Sequence, residues 1–292
     1  YDMIGPAPIL PPVLGALPPQ VNNCDMKSYG WELELSWRDR ISEFDYSARF
    51  VLSDGKRKIL RYPNPTNSLS SDVYYNGQIL GDIWGYKTIG IAQTQEEMNA
   101  HLVNGGTPNW GTNWGAGDVM YANLDGKEGV NNGSNTLEDH GDLTIIGNNT
   151  PRYNFGLTLT GAWKGFDFSV FLQGVMKRDY WLDGPYFWGA NGGLWQSTAF
   201  KEHMDYWRPE GDPLGANTNA YCPKPYFNTD KNQKVQSGYL QNAAYCRLKN
   251  AQIGYTLPKI WTRKAAMESV RVYVSGDNLV TFSGISGVFD PE

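Results

Sequence analysis

The chain has 292 residues, of which 40% are hydrophobic, 19% charged and 14% aromatic, with 33 glycines, a mean hydropathy of −0.49 and a formal net charge of −5. That length holds one large domain or two ordinary ones, and an acidic balance without clustered Lys and Arg excludes nucleic acid as a main partner. Three cysteines, Cys24, Cys222 and Cys246, are too few and too scattered for a disulfide framework or a CxxC metal site, although a single Cys222–Cys246 bridge stays open.

No apolar run reaches the ~18 residues of a transmembrane helix, a test that alternating strands escape. The chain opens at Tyr1-Asp2-Met3 with no signal-peptide pattern and reads as an internal segment of a longer protein. Residues 4–19 carry six prolines and predict a stiff, extended loop rather than a strand. Residues 29–37 alternate strictly. Tyr29, Trp31, Leu33, Leu35 and Trp37 share one face, and Gly30, Glu32, Glu34 and Ser36 share the other. Residues 44–52 repeat the pattern, with Phe44, Tyr46, Ala48, Phe50 and Leu52 opposing Asp45, Ser47, Arg49 and Val51. Arg38 to Glu43 join the two.

Residues 54–150 are rich in Gly and Asn. One helix is predicted at 94–103 (TQEEMNAHLV), with Thr94 as N-cap and Glu97 at N3. Asn123, Asp125 and Glu128 offer oxygens to a cation, but the ligands a Ca²⁺ loop needs at every second position are missing, so a solvated turn is expected. Residues 152–163 and 166–176 form a second alternating pair around Lys164-Gly165. Here Asp167, Ser169 and Gln173 oppose Phe166, Phe168, Val170 and Leu172. Residues 177–238 hold twelve aromatic residues, too many for a disordered loop. Rings interleaved with Asp, Asn and Arg suit sugar or peptide binding, while most of the rings are expected to pack within the loop. Trp181, Trp188 and Trp195 are the candidate contacts, and Trp207 is expected to pack locally. A strand with a bulge is predicted at 240–256, then a helical turn within 257–268, and a strand in which Val270, Val272 and Val274 oppose Arg271, Tyr273 and Ser275.

His101, His140 and His203 are dispersed, and there is no HExxH, G-x-S-x-G, Walker or G-x-G-x-x-G pattern. No catalytic residue, metal site or cofactor is expected, and the chain is not read as an enzyme. Strands of about ten residues match a tilted bilayer crossing. Short turns flanked by Trp37, Phe44, Trp163, Phe166, Tyr255 and Trp261 alternate with connections of nearly a hundred and about sixty residues. This is the layout of an all-β, antiparallel transmembrane β-barrel with long extracellular loops. The alternative is a soluble, secreted carbohydrate-binding β-sandwich, which would turn the same apolar rows inward.

The runs GDLTIIGNNTPRYNFGLTLTGAWKGFDFSVFLQGV (141–175), HMDYWRPE (203–210), YLQNAAYCRLKNAQIGYTLP (239–258) and VRVYVSGDNLVTFSGISGVFDPE (270–292) resemble the SusC/RagA family of TonB-linked outer-membrane proteins, as does the opening 2–37. The resemblance spans nearly the whole chain in the family's order. It implies part of a 22-stranded TonB-dependent receptor barrel, residues 1–292 being an incomplete C-terminal part without the plug or the final strands. It further implies an outer-membrane location in Bacteroidetes-type bacteria, energising by the TonB-ExbB-ExbD complex, a SusD-like surface lipoprotein as lid, and import of oligosaccharides or peptides. Where the family often carries D-x-N-G-D-G, this chain has NLDGKEG (123–129). On this reading the Trp31/Leu33/Leu35 row meets lipid, and Glu32, Glu34, Arg49, Asp167, Gln173 and Arg271 face the lumen.

Overall fold

The structure, a computed structural model, describes residues 3–5, 15, 20–189, 200–227, 229–287 and 289–292. In chain order the strands are β1 (Met3–Gly5), β2 (Val21–Ile41), β3 (Phe44–Arg61), β4 (Asp82–Gly85), β5 (Thr88–Ile91), β6 (Val119–Tyr121), β7 (Thr144–Asn148), β8 (Arg152–Trp163), β9 (Phe166–Lys177), β10 (Asp179–Tyr180), β11 (Gln241–Asn242), β12 (Tyr245–Thr256) and β13 (Arg271–Ser283). Helix α1 spans Gln95–Gly105. A seven-stranded sheet runs in the order β1-β2-β3-β8-β9-β12-β13, and β3, β8, β9, β12 and β13 pair antiparallel with their neighbours.

The register explains the alternation. Phe44, Trp163, Phe166, Tyr255 and Val272 form one cross-strand row, and Ala48, Leu159, Val170, Ala251 and Gly276 another. A third is Phe50, Leu157, Leu172, Leu248 and Val280. Side chains paired across a ladder share a face, so every one of these rows lies on the same, apolar side. Trp163, Phe166 and Val272 are 50%, 50% and 62% exposed. A sandwich would bury that face against a second sheet, and the exposure of these rows removes the sandwich alternative. The bulge expected in β12 lies between Leu248 and Asn250. Its extra residue, Lys249, keeps Cys246 and Leu248 on the apolar side together with Ala251 and Ile253, which a strict period of two forbids.

The turn Lys164-Gly165 is as expected. Both residues have positive φ, 48° and 89°, which is the type I′ geometry that matches the twist of a two-residue hairpin. Several boundaries differ from the reading of the sequence; the strand expected from residue 240, for one, begins at Tyr245. Met3–Gly5 pairs with β2, so residues 4 and 5 are strand; the prolines that follow lie outside the described residues. The first hairpin turn shrinks to Ser42-Glu43, and its strands reach 21 and 18 residues. Their extensions carry DMK and GKRK, which look like loop because these runs show no apolar alternation. The Arg61 guanidinium donates to Asp25 at 2.8 Å in that extension.

The chain divides into two compact units, to both of which β2 and β3 contribute residues. One comprises residues 28–56, 150–179 and 242–292 and holds the strand region just described. The other comprises residues 1–27, 57–149 and 180–241. It has its own core, in which Tyr121, Met98, Val130 and Ala92 are fully buried and Val119 and Trp114 nearly so. The rings of Tyr86, Trp110 and Trp114 surround Tyr121 at centroid distances of 5.8, 5.4 and 6.2 Å. The short pairs β4–β7 and β5–β6 frame this core. Helix α1 begins as expected, with the Glu97 amide donating to Thr94 Oγ1 at 3.1 Å. The Glu97 carboxylate reaches one residue further back than a capping box would, accepting from the Gln93 amide at 2.6 Å.

Candidate functional site

The polar side of the strand region carries paired charges. Arg49 donates to both carboxylate oxygens of Glu34 at 2.8 and 3.0 Å across the β2–β3 ladder, and alternation puts Glu32 on the same face. Arg271 reaches over β12 to Asp167 on β9, donating through Nε at 2.9 Å. The crossing needs Gly254, where an added Cβ would come within 2.5 Å of the guanidinium. Gln173 stands in register with Gly156 and Arg247. All six polar residues singled out from the sequence except Glu32 and Gln173 are thus brought into pairs.

The sequence reading missed the strongest charge on this face. Arg247 is 8% exposed. It donates to Thr281 at 2.9 Å, to Asp290 at 2.6 Å and to Glu292 at 2.5 Å. Lys249 also reaches Glu292, at 3.0 Å. Arg152 pairs with Asp54 between β8 and β3 of the same unit. Both arginines sit where alternation was blurred, Arg247 beside the bulge and Arg152 at the start of its strand.

In the second unit Trp181 is half-buried and Trp188 is 8% exposed. Trp188 packs against Phe187, Tyr239 and Trp181 at 5.0, 4.9 and 6.0 Å. The expectation that Trp188 offers an open ring is corrected, because Tyr239, distant in sequence, supplies the apolar cover that its Gly/Asn-rich neighbourhood lacks. Trp195 lies outside the described residues. Trp207 is buried, at 4% exposure, but against distant rather than local sequence: its indole N–H donates to Gln93 at 3.1 Å and its ring lies over Gly117. Trp181 lines a hollow of about 590 Å³ together with Tyr74, Trp84, Gln78, Asp82 and Asn149. Tyr74 is 41% exposed there. Half-exposed rings beside amide and carboxylate groups can stack on a ligand face and fix its polar groups.

A buried charge pair ties the two long loops together. Lys231 Nζ lies 2.7 Å from Asp118, with side-chain exposures of 2% and 0%. The ammonium also sits 5.0 Å from the Trp114 ring centre and 4.2 Å from that of Tyr226. Asp118 further accepts from the Gly115 amide at 2.8 Å and from Asn232 at 2.9 Å. Tyr121 donates to the Lys231 carbonyl at 2.7 Å. No motif announces this network, since its central partners, Asp118 and Lys231, are 113 residues apart in sequence.

The 123–129 turn is built around its own lysine. Lys127 Nζ lies 3.3 Å from Asp125 and 3.5 Å from Asp139, the position a cation would take between those carboxylates. Hydrogen bonds from Ser134 and then the charge of Lys127 hold the Asp139 carboxyl below its ordinary value. The buried Asp142 accepts from the amides of Leu124 and Asn131 at 2.5 and 2.8 Å and fixes the turn from beneath. Among the described residues no group of three potential ligands is placed to hold a metal ion. The three thiols are free, and burial pushes that of Cys222 up to about 11.

No family model matches the chain. TonB-dependent receptor P3 of Formosa agariphila is 27% identical over 306 residues, taking in all of this chain and 27% of that protein. TonB-dependent receptor P39 of the same organism is 22% identical over 297 residues, 94% of this chain and 28% of that protein. Among solved structures, the RagAB peptide transporter matches 99% of this chain and 29% of its own at a TM-score of 0.65 and 21% identity. The RagAB peptide importer in its open-open state matches 99% and 28% at 0.67 and 20%. At those identities the structures speak to the fold. The chain spans less than a third of the length of the curated relatives it matches. An open antiparallel sheet with one apolar and one charged wall, matched from end to end by receptors of this kind, makes the chain similar over its whole length to TonB-dependent receptors of the outer membrane, with the fold of a stretch of their barrel, in keeping with its resemblance to SusC/RagA proteins.

Proposed function

We propose that this chain forms part of the wall and external mouth of a barrel that imports oligosaccharides or peptides across the outer membrane. The TonB-ExbB-ExbD complex energises it, and a SusD-like surface lipoprotein is its partner. The observation that carries this reading is the exposed apolar face of strands long enough to cross a bilayer, backed by the Glu34–Arg49 and Asp167–Arg271 pairs on the opposite face. The apolar face meets lipid. The polar face, with Glu32, Glu34, Arg49, Asp167, Gln173, Arg271 and Arg247, lines a hydrated lumen. The unit that holds Trp181 then belongs to the external loops, where solute and lipoprotein meet. The two RagAB matches are peptide transporters by name, which favours peptides as one of the two substrate classes.

The test is topological. In cells making the complete receptor on a cysteine-free background, a membrane-impermeant maleimide should label Leu214→Cys, whose native side chain is 63% exposed. It should spare Glu43→Cys in the short turn until the outer membrane is permeabilised. The opposite pattern overturns the assignment of long loops to the outside.

A further inference from the structure

The connection from β12 to β13 differs from the other two links on its side of the sheet, which are two-residue turns. A helical turn at Lys259–Thr262 runs into a 3₁₀ turn at Arg263–Ala265. The Met267 amide closes it by donating to the Thr262 carbonyl at 3.0 Å, and the Leu257 amide donates to Val270 at 2.9 Å across its base. Between residues 258 and 269 only Thr262 is buried. Ile260, Trp261 and Met267 are 70%, 59% and 46% exposed. Lys259, Arg263 and Lys264 are exposed beside them, against a single carboxylate, Glu268. Lys164 in the neighbouring turn is answered by Glu43 at 3.1 Å, whereas these three cations enter no ion pair among the described residues.

A segment that exposes a Trp, an Ile and a Met together with three unanswered cations suits neither bulk water nor hydrocarbon. It suits the headgroup level of a membrane, where apolar bodies dip inward and charged tips meet phosphate. The apolar wall of the sheet leads to the same place. Its terminal row ends in Tyr255 and Val272, the strand residues on either side of the connection. Phe166 packs on Tyr255 at 4.5 Å. A largely apolar hollow of about 340 Å³ lies among Phe44, Gly161, Trp163, Phe166, Phe168 and Ile253.

We infer that the β12–β13 connection is a binding site for anionic phospholipid in the periplasmic leaflet. Lys259, Arg263 and Lys264 hold the phosphate-bearing headgroup, Trp261 and Ile260 insert beside it, and the acyl chains follow the apolar wall. The inference rests on the outer-membrane barrel reading and adds a ligand and a leaflet to it.

Native mass spectrometry of the complete receptor in a neutral detergent, with phosphatidylglycerol or phosphatidylcholine added, tests it. Wild-type receptor should retain phosphatidylglycerol about tenfold better than phosphatidylcholine. Lys259→Gln/Arg263→Gln/Lys264→Gln should abolish that preference. Lys56→Gln/Arg57→Gln/Lys58→Gln, an equal loss of charge on the extension of β3, should keep it. Trp261→Ala should lower retention of both lipids and leave their ratio. Equal retention of the two lipids by wild type, or equal loss in both triple variants, overturns the site. Displacement of the lipid by millimolar glycerol phosphate would assign the cations to a free anion and also overturn it. A receptor that folds and fractionates with the membrane yet shows no lipid preference refutes this inference alone, whereas one that does not fractionate with the membrane refutes the barrel reading beneath it.

Discussion

Lys231 shows what a single residue does for the loop unit. Its ammonium is taken out of water between two rings and is matched by one carboxylate, Asp118. Removing one member of such a pair leaves an uncompensated buried charge and costs about 3–5 kcal/mol, while removing both costs far less. Asp118→Asn should therefore loosen the loops, seen as faster hydrogen exchange at the Tyr121 amide and faster tryptic cleavage within 57–149. Lys231→Met combined with Asp118→Asn should recover most of the protection. Exchange unchanged in Asp118→Asn would show that the pair holds nothing together. Trp181 and Trp188 separate in the same way. Trp181→Ala removes a half-exposed ring from the hollow and should weaken uptake or lipoprotein association about tenfold, on the order of 1.4 kcal/mol, with the loops still protected. Trp188→Ala cuts into a packed cluster and should expose the loops to protease first, at about 3–5 kcal/mol. Protease exposure from Trp181→Ala with none from Trp188→Ala would reverse the two roles.

At the scale of the element, the strands act through their faces. Leu33 points to the apolar side and Glu34 to the other. Leu33→Arg puts a charge where the bilayer should be and costs about 2–4 kcal/mol near the midplane. Glu34→Arg only places a second cation beside Arg49 on the hydrated side and should be far milder for assembly. Heat-modifiable mobility of the complete receptor on gels reads the folded fraction of each, and equal losses would mean that the two faces meet the same solvent. The bulge in β12 obeys the same geometry. One extra residue, Lys249, lets a single strand keep two runs of opposite parity on one face, so the irregular stretch of the sequence is where the register is corrected.

At the scale of the whole molecule, the exposed apolar wall decides where the protein can live. Leu35, Trp37, Ile253, Val272, Val274 and Phe282 are each more than half exposed, which water tolerates poorly over a contiguous face. The complete receptor should remain in the membrane fraction after alkaline carbonate washing and stay dispersed only in detergent. Release into carbonate as a monodisperse soluble protein would require another cover for that wall. The strand rows and the turn positions follow from the same constraint, because a bilayer on one side and water on the other dictates a period of two. For that reason β8, β9 and the Lys164-Gly165 turn were legible residue by residue.

The sequence alone therefore determined what local chemistry can impose: the alternating strands, the two-residue turn, the Thr94 cap of α1, the bulge in β12 and the family resemblance. It also singled out Glu34, Arg49, Asp167 and Arg271, because each stands at a fixed parity in a regular strand. Tertiary structure decided everything that depends on which distant segments meet. Asp118 finds Lys231, Trp188 is covered by Tyr239, and Arg247 gathers Asp290 and Glu292. Such partners leave no periodic trace, since long-range contacts are chosen by how the loops close and by how much apolar surface and charge each closure can satisfy.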